Sequence, residues 1–184
     1  YDIALFYKDK AKNKSNILSK YNLNPNEFFL ATCHREENTN NFKNLNQIFS
    51  AIMELGASNK VILPLHPRTK KYLIQNKIFN NLHNIILTEP LSFFDMITLQ
   101  QSAKAIITDS GGIQKEAFFY GVPCITLRNE TEWVETVELG WNKVVGADKD
   151  KILDAVNSLS YGNYDATPYG DGQASQKILE ILGK

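Results

Sequence analysis

One stretch constrains this chain more than any other. The apolar run Ile106-Ile107-Thr108 ends in Asp109-Ser110, two glycines follow, and a helical segment stops at Gly121-Val122-Pro123. The pattern is strand, tight turn, helix, stop. Adjacent glycines let the backbone turn sharply and let a ligand come close to the amides. The first helical turn has free N–H groups at the positive end of its dipole, which suits an anion. Ser110 adds a hydroxyl that can donate to a ligand or cap the helix. Glu116 lies four residues after Gly112, one turn into the helix on the side of the loop. A carboxylate there repels phosphate but can accept two hydrogen bonds from a sugar diol. The stretch therefore reads as a nucleotide site, with phosphate on Gly111 and Gly112 and ribose on Glu116. The competing reading is an ordinary Ser/Gly helix start.

Length and composition narrow the class. A chain of 184 residues can bury one full α/β core, and zero formal net charge gives no sign of a nucleic-acid or membrane-surface partner. No apolar run approaches the ~20 residues needed to span a bilayer. Cys33 and Cys124 both sit inside apolar runs, which favours buried free thiols in a cytoplasmic setting over a disulfide or a metal pair. The sequence opens on Tyr1 rather than methionine, with a helix first, and reads as a piece of something longer.

The rest of the chain repeats one cycle. Helical spacing covers residues 2–12, and a second short helix falls near 15–21. Strands are expected at 28–33, 60–65, 84–88, 103–108, 124–127 and 143–145. Between and after them helices are expected at 41–55, 68–76, 92–101, 112–120, 132–139, 149–159 and 173–182. Ser92 with Asp95 three residues on suggests a near capping box. Phe42, Leu45, Ile48, Phe49, Ile52 and Leu55 form the expected buried stripe of the 41–55 helix. Apolar, β-branched runs alternating with helices give a doubly wound, parallel, six-stranded Rossmann-like sheet in one domain, residues 1–184. In such sheets ligands bind beyond the carboxyl ends of the strands, where strand order reverses. His34, His66, Glu89, Ser110 and Arg128 each follow a strand, so they gather on one rim.

The rim residues have alternatives. His34, expected to face the Ser-Gly-Gly loop from the neighbouring strand, could donate to a diphosphate or act as an acid toward a departing phosphate. It could equally be satisfied by loop carbonyls. Arg35 could clamp a phosphate or pair with Glu36 or Glu37. His66 could bind ligand or simply fill the turn set by Pro67. Arg128 could meet ligand, Glu130 or Glu132. His83 reads as surface. No spacing resembles a metal site. A Ser-His-Asp reading of Ser110, His34 and Asp109 fails because Ser110 opens a phosphate-type loop. A nicotinamide site is disfavoured, because the first strand leads into His-Arg-Glu-Glu-Asn and not into a glycine-rich turn.

Taken in order, the segments match a known family. They are Thr32-x-His34-Arg35-x-Glu37-Asn38, Leu65-His66-Pro67, Thr108-Asp109-Ser110-Gly111-Gly112-Ile113-Gln114-x-Glu116-Ala117, Gly121-x-Pro123, Arg128-x-x-Thr131-Glu132-Trp133 and Pro168-Tyr169-Gly170-Asp171-Gly172-x-Ala174. In this order and spacing the chain resembles the non-hydrolysing UDP-N-acetylglucosamine 2-epimerases along nearly its whole length. The resemblance implies the second, UDP-binding half of a glycosyltransferase-B-like two-domain enzyme. The helices of residues 1–21 would then lie on the interdomain side, and the terminal helix, 173–184, would reach back toward a first domain that this chain lacks. It further implies that Ser110, Gly111 and Gly112 hold the diphosphate of UDP, that Glu116 holds the ribose and that Arg128 also contacts the nucleotide. His34 would touch the phosphates and help UDP leave and return. Arg35, Glu37 and His66 fall to an allosteric or supporting role. The implied isomerase needs no cofactor, dimerises when full length, and takes its C2 acid and base from the absent half.

One departure stands out. Many members read Thr-Glu-Arg-Pro where this chain has Thr131-Glu132-Trp133-Val134. With Gly140-Trp141-Asn142, this is more similar to the branch acting on UDP-2,3-diacetamido-2,3-dideoxyglucuronate. Two alternatives remain: a glycosyltransferase of the same architecture, and a catalytically silent UDP-sugar-binding module.

Overall fold

A computed structural model describes residues 1–163 and 167–183. Part of the linker between the last two expected helices, and residue 184 of the terminal helix, lie outside the described residues. Six parallel strands run β1 (Phe28–Thr32), β2 (Lys60–Pro64), β3 (Ile86–Thr88), β4 (Ala105–Thr108), β5 (Cys124–Thr126) and β6 (Asn142–Val144). Their order is β3-β2-β1-β4-β5-β6. This is the expected doubly wound sheet, and strand order reverses between β1 and β4.

Alternation explains why it forms. Phe29, Ala31, Val61, Leu63, Ala105, Ile107 and Ile125 enter one core, and Phe28, Leu30, Ile62, Ile106 and Cys124 enter the other. Successive side chains point to opposite faces, so each buried run feeds both layers. The first core is closed by α4 (Phe42–Ser58), α5 (Pro67–Gln75) and α9 (Lys149–Asn157). The second is closed by α2 (Ile17–Lys20), α6 (Phe93–Ser102) and α7 (Gly111–Tyr120). Fully buried Phe28, Phe29 and Leu30 each contribute about 1.5–3 kcal/mol of apolar burial. Both cysteines are buried and free.

The helix ends follow the sequence signals closely. Ser92 Oγ accepts from the Asp95 amide at 3.2 Å, as the near capping box requires. Gly121 closes α7 in the left-handed region, at φ 69°, where a side chain would be strained. α1 (Asp2–Lys14) packs on α6. α10 (Ala174–Leu182) starts beside it, with the Ser175 amide donating to Asp2 Oδ2 at 3.0 Å.

Three expectations change. A four-residue helix, α3 (Glu36–Thr39), precedes α4. Phe42, the first residue of α4, does not join the buried stripe and is 57% exposed. The helix expected at 132–139 shortens to α8 (Val134–Glu138), with Trp133 as its N-cap and the Trp133 amide donating to Thr131 Oγ1 at 3.1 Å.

Candidate functional site

The switch point is tied together by side chains. Thr32 and Thr108, paired in register at the ends of β1 and β4, share a hydroxyl hydrogen bond of 2.6 Å. Asp109 follows β4 and is fully buried. It accepts the His34 amide at 3.1 Å, the Arg35 amide at 3.0 Å and Asn38 Nδ2 at 3.1 Å. Asn38 also donates to the Leu127 carbonyl at 3.0 Å, and so carries the tie on to β5. From α5, Thr69 Oγ1 donates to the Cys33 carbonyl at 2.8 Å. Beside Asp109, the Cys33 thiol is pushed well above its ordinary range, first by burial and then by the carboxylate's charge and hydrogen bond.

His34 and the Ser110-Gly111-Gly112 loop therefore face each other, as expected. The His34 imidazole is 42% exposed on the rim, and its Nδ1 lies 3.7 Å from Asp109 Oδ1, too far for a hydrogen bond. Ser110 is the N-cap of α7, but its side chain makes no capping bond, contrary to one expected use of its hydroxyl. Its own amide donates to Thr108 Oγ1 at 3.0 Å. One turn on, Glu116 Oε2 accepts from Gln100 Nε2 at 2.8 Å. Gln100 is 2% exposed, and its Oε1 has no partner among the described residues.

The loop after β5 forms the second wall. Thr131 Oγ1 donates to the buried Gln114 Oε1 at 2.6 Å and fastens this loop to α7. Arg128 pairs with Glu132 at 2.7 Å. Trp133 turns its ring under Lys115 Nζ, 4.2 Å from the centroid, and its buried Nε1 has no partner among the described residues. Tyr169, from the Pro-Tyr-Gly-Asp-Gly segment, packs on Phe118, Phe119 and Trp133 with ring centroids 5.2–6.3 Å away. Burial, with the nearby Glu135 charge, pushes the Tyr169 hydroxyl up to about 12.

The remaining rim residues separate. Arg68 takes Glu36 as its partner, so Glu36 is not the mate of Arg35. His66 caps α5, its Nδ1 accepting from the Arg68 amide at 3.2 Å, with Pro67 opening the helix. Glu37 is exposed and lines a polar cleft of about 310 Å³ with Asn38, Lys43, Arg128, Asn129 and Lys151. Glu89 pairs at 3.5 Å with Lys70, and His83 is exposed. Sequence reasoning gave no role to Asp109, Asn38, Gln100 or Gln114. Their partners lie 16 to 89 residues away, and although Asn38, Asp109 and Gln114 stood within quoted motifs, only the fold shows what each one touches.

A six-stranded doubly wound sheet, with a Ser-Gly-Gly helix start at its switch point and a carboxylate one turn on, defines a Rossmann-like domain. The family model for UDP-N-acetylglucosamine 2-epimerase matches residues 1–183, and the chain belongs to that family. It is 45% identical over 178 residues to a UDP-N-acetylglucosamine 2-epimerase homolog of Methanococcus maripaludis, covering 93% of this chain and 48% of the relative. It is 40% identical to the UDP-2,3-diacetamido-2,3-dideoxy-D-glucuronate 2-epimerase of Pseudomonas aeruginosa, covering 100% of this chain and 50% of the relative. A crystal structure of the Methanocaldococcus jannaschii UDP-GlcNAc 2-epimerase in complex with UDP-GlcNAc and UDP superposes with a TM-score of 0.88 at 36% identity, over 99% of this chain and 52% of that one. The glycosyltransferase AviGT4, 13% identical with a TM-score of 0.52, shares the fold alone. The chain spans about half the length of the relatives it matches.

Proposed function

We propose that residues 1–184 are the UDP-binding half of a cytoplasmic UDP-N-acetylhexosamine 2-epimerase. The observation that carries this reading is the meeting of His34 with the Ser-Gly-Gly loop across the β1–β4 switch point, with Glu116 one turn further on. In this reading Ser110, Gly111 and Gly112 take the diphosphate through amides and hydroxyl, Glu116 takes the ribose diol, and Arg128 supplies a cation. Arg35, Glu37 and His66 belong to an allosteric or supporting shell.

The chemistry follows from the leaving group. The bond from C1 to the UDP oxygen breaks and its electron pair leaves with UDP. The C2 proton passes to a base, and the C1=C2 double bond of a glycal remains. Re-addition of UDP, with the proton returned on the opposite face, completes the epimerisation. Negative charge grows on the β-phosphate in the transition state, so donors fixed around it lower the barrier. His34 is placed to donate there. The carboxylates acting on C2 come from the rest of the protein, which α1 and α10 meet through exposed Ile3, Phe6, Ile178, Leu179, Ile181 and Leu182. The full-length enzyme is a homodimer.

The acetamido-glucuronate branch is a second reading with its own support. Trp133 stands where many members carry arginine, and it presents an unpartnered indole N–H beside Gly111.

Calorimetric titration tests the reading. The chain should bind UDP saturably, ignore NAD, and leave UDP-GlcNAc unconverted until the other half is joined to it. Binding of NAD in place of UDP, or of neither, overturns the nucleotide assignment. Conversion by the 184 residues alone overturns the placing of the C2 groups elsewhere.

Gln100 gives a sharper check. Its amide fixes one oxygen of Glu116, and leucine has a similar volume without the unpartnered Oε1. Gln100→Leu should change stability by less than about 1 kcal/mol, since it removes one neutral-to-charged bond and one unsatisfied atom together. UDP affinity should fall about fivefold, while affinity for 2′,3′-dideoxy-UDP, which has no diol to grip, should not move.

A further inference from the structure

Arg128, Glu132 and Gly111 converge on one point of the rim. Glu132 Oε2 is 2.7 Å from Arg128 Nη1. Its other oxygen, Oε1, stands where a Cβ on Gly111 would be. Gly111 is the first residue of the ten-residue helix α7, whose cap hydroxyl makes no bond to the helix. A carboxylate is therefore already lodged against the phosphate loop. Burial works to raise the Glu132 carboxyl. Its own backbone amide, the hydrogen bond and charge of Arg128, and the charge of Arg35 outweigh that and hold it below the usual range. Arg128 thus holds this carboxylate beside Gly111.

We propose that Glu132 is the resident counter-ion of the diphosphate site. Its carboxylate balances Arg128 beside Gly111, and it yields that cation when a nucleoside diphosphate enters. This inference rests on the diphosphate reading given above.

Charge and exposure decide which partner moves. A diphosphate beside Gly111 would meet Glu132 as a like charge at contact distance, and that repulsion is strong in a partly desolvated cleft. The Arg128 side chain is 12% exposed and held, whereas that of Glu132 is 44% exposed and has a way out. Without the carboxylate, the Arg128 guanidinium would stand unbalanced near the positive end of α7. Glu132 thus keeps Arg128 in place, and binding a diphosphate becomes an exchange of one anion for another. Gly111 serves both states, because a side chain there would exclude the carboxylate and the phosphate alike.

The test is calorimetric titration of wild type and Glu132→Gln with UDP, pyrophosphate and uridine at two salt concentrations. Thermal melting confirms that the variant is folded. Glu132→Gln should bind UDP and pyrophosphate about tenfold more tightly, with a steeper loss of affinity as salt rises. Uridine, which brings no phosphate, should bind both proteins equally. Unchanged or weaker UDP binding by Glu132→Gln, in a chain whose UDP affinity still depends on Glu116, overturns the counter-ion role alone. Failure of wild type to bind UDP or pyrophosphate, with unmoved amide resonances at Gly111 and Gly112, overturns the diphosphate reading and this inference with it.

Discussion

Asp109→Ala should destabilise the chain by about 3 kcal/mol or more, read as a lower urea midpoint at unchanged slope. The carboxylate is fully buried and accepts from two backbone amides and the Asn38 side chain. Removing it leaves three buried or half-buried donors facing a space without an acceptor, each costing roughly 1–3 kcal/mol before relaxation. Asp109→Asn keeps the shape but turns an NH2 group toward amides that also donate. It should recover only part of the loss. Both variants should weaken UDP binding as well, because His34 and Arg35 take their positions from the bonds to Asp109. Wild-type stability in Asp109→Ala would mean that other contacts hold the switch point.

Glu116→Ala should lower UDP affinity about 100-fold, or ~2.7 kcal/mol, measured by titration against wild type. Two hydrogen bonds from a ribose diol to a carboxylate carry about 1.5–3 kcal/mol each, and part is returned by resolvation of the hydroxyls. The stability of the variant should stay close to wild type, since the side chain is only partly buried and its bond to Gln100 is a single contact. Pyrophosphate, which has no ribose, should bind the variant at least as well as wild type. A loss shared equally by UDP and pyrophosphate would show that Glu116 acts on the phosphate loop and not on the sugar.

The strands and the switch point were legible because they rest on local chemistry. Buried strands announce themselves as runs such as Phe28-Phe29-Leu30 and Ile106-Ile107, and the polar rim residues follow directly after them. The stop at Gly121 was legible because few residues permit its left-handed conformation, whereas Gly111 and Gly112 make no sharp turn but open α7 as ordinary helical residues, Gly111 being held small by Glu132. What stayed hidden depends on long-range partners. Nothing in Glu36-Glu37-Asn38-Thr39 calls for a helix; α3 forms because Asn38 is bonded to Asp109 and to Leu127, 89 residues away. The buried-stripe reading failed at Phe42, the first residue of α4, because periodicity gives a direction but not how far along a helix the packing extends. Asp109 read as a strand end, and its clamping role needed β1 and β4 side by side. Arg128 had two acidic candidates within four residues, and the loop geometry selected Glu132.

The clamp has a mechanical consequence. Asp109 fastens the β1 loop to the β4 loop, Asn38 extends the fastening to β5, and Gln114 fixes the β5–α8 loop to α7. All the walls of the candidate site thus belong to one stiff plate. Loosening any one wall would mean breaking a bond at buried Asp109, Asn38 or Gln114, so the rim moves as a unit or not at all.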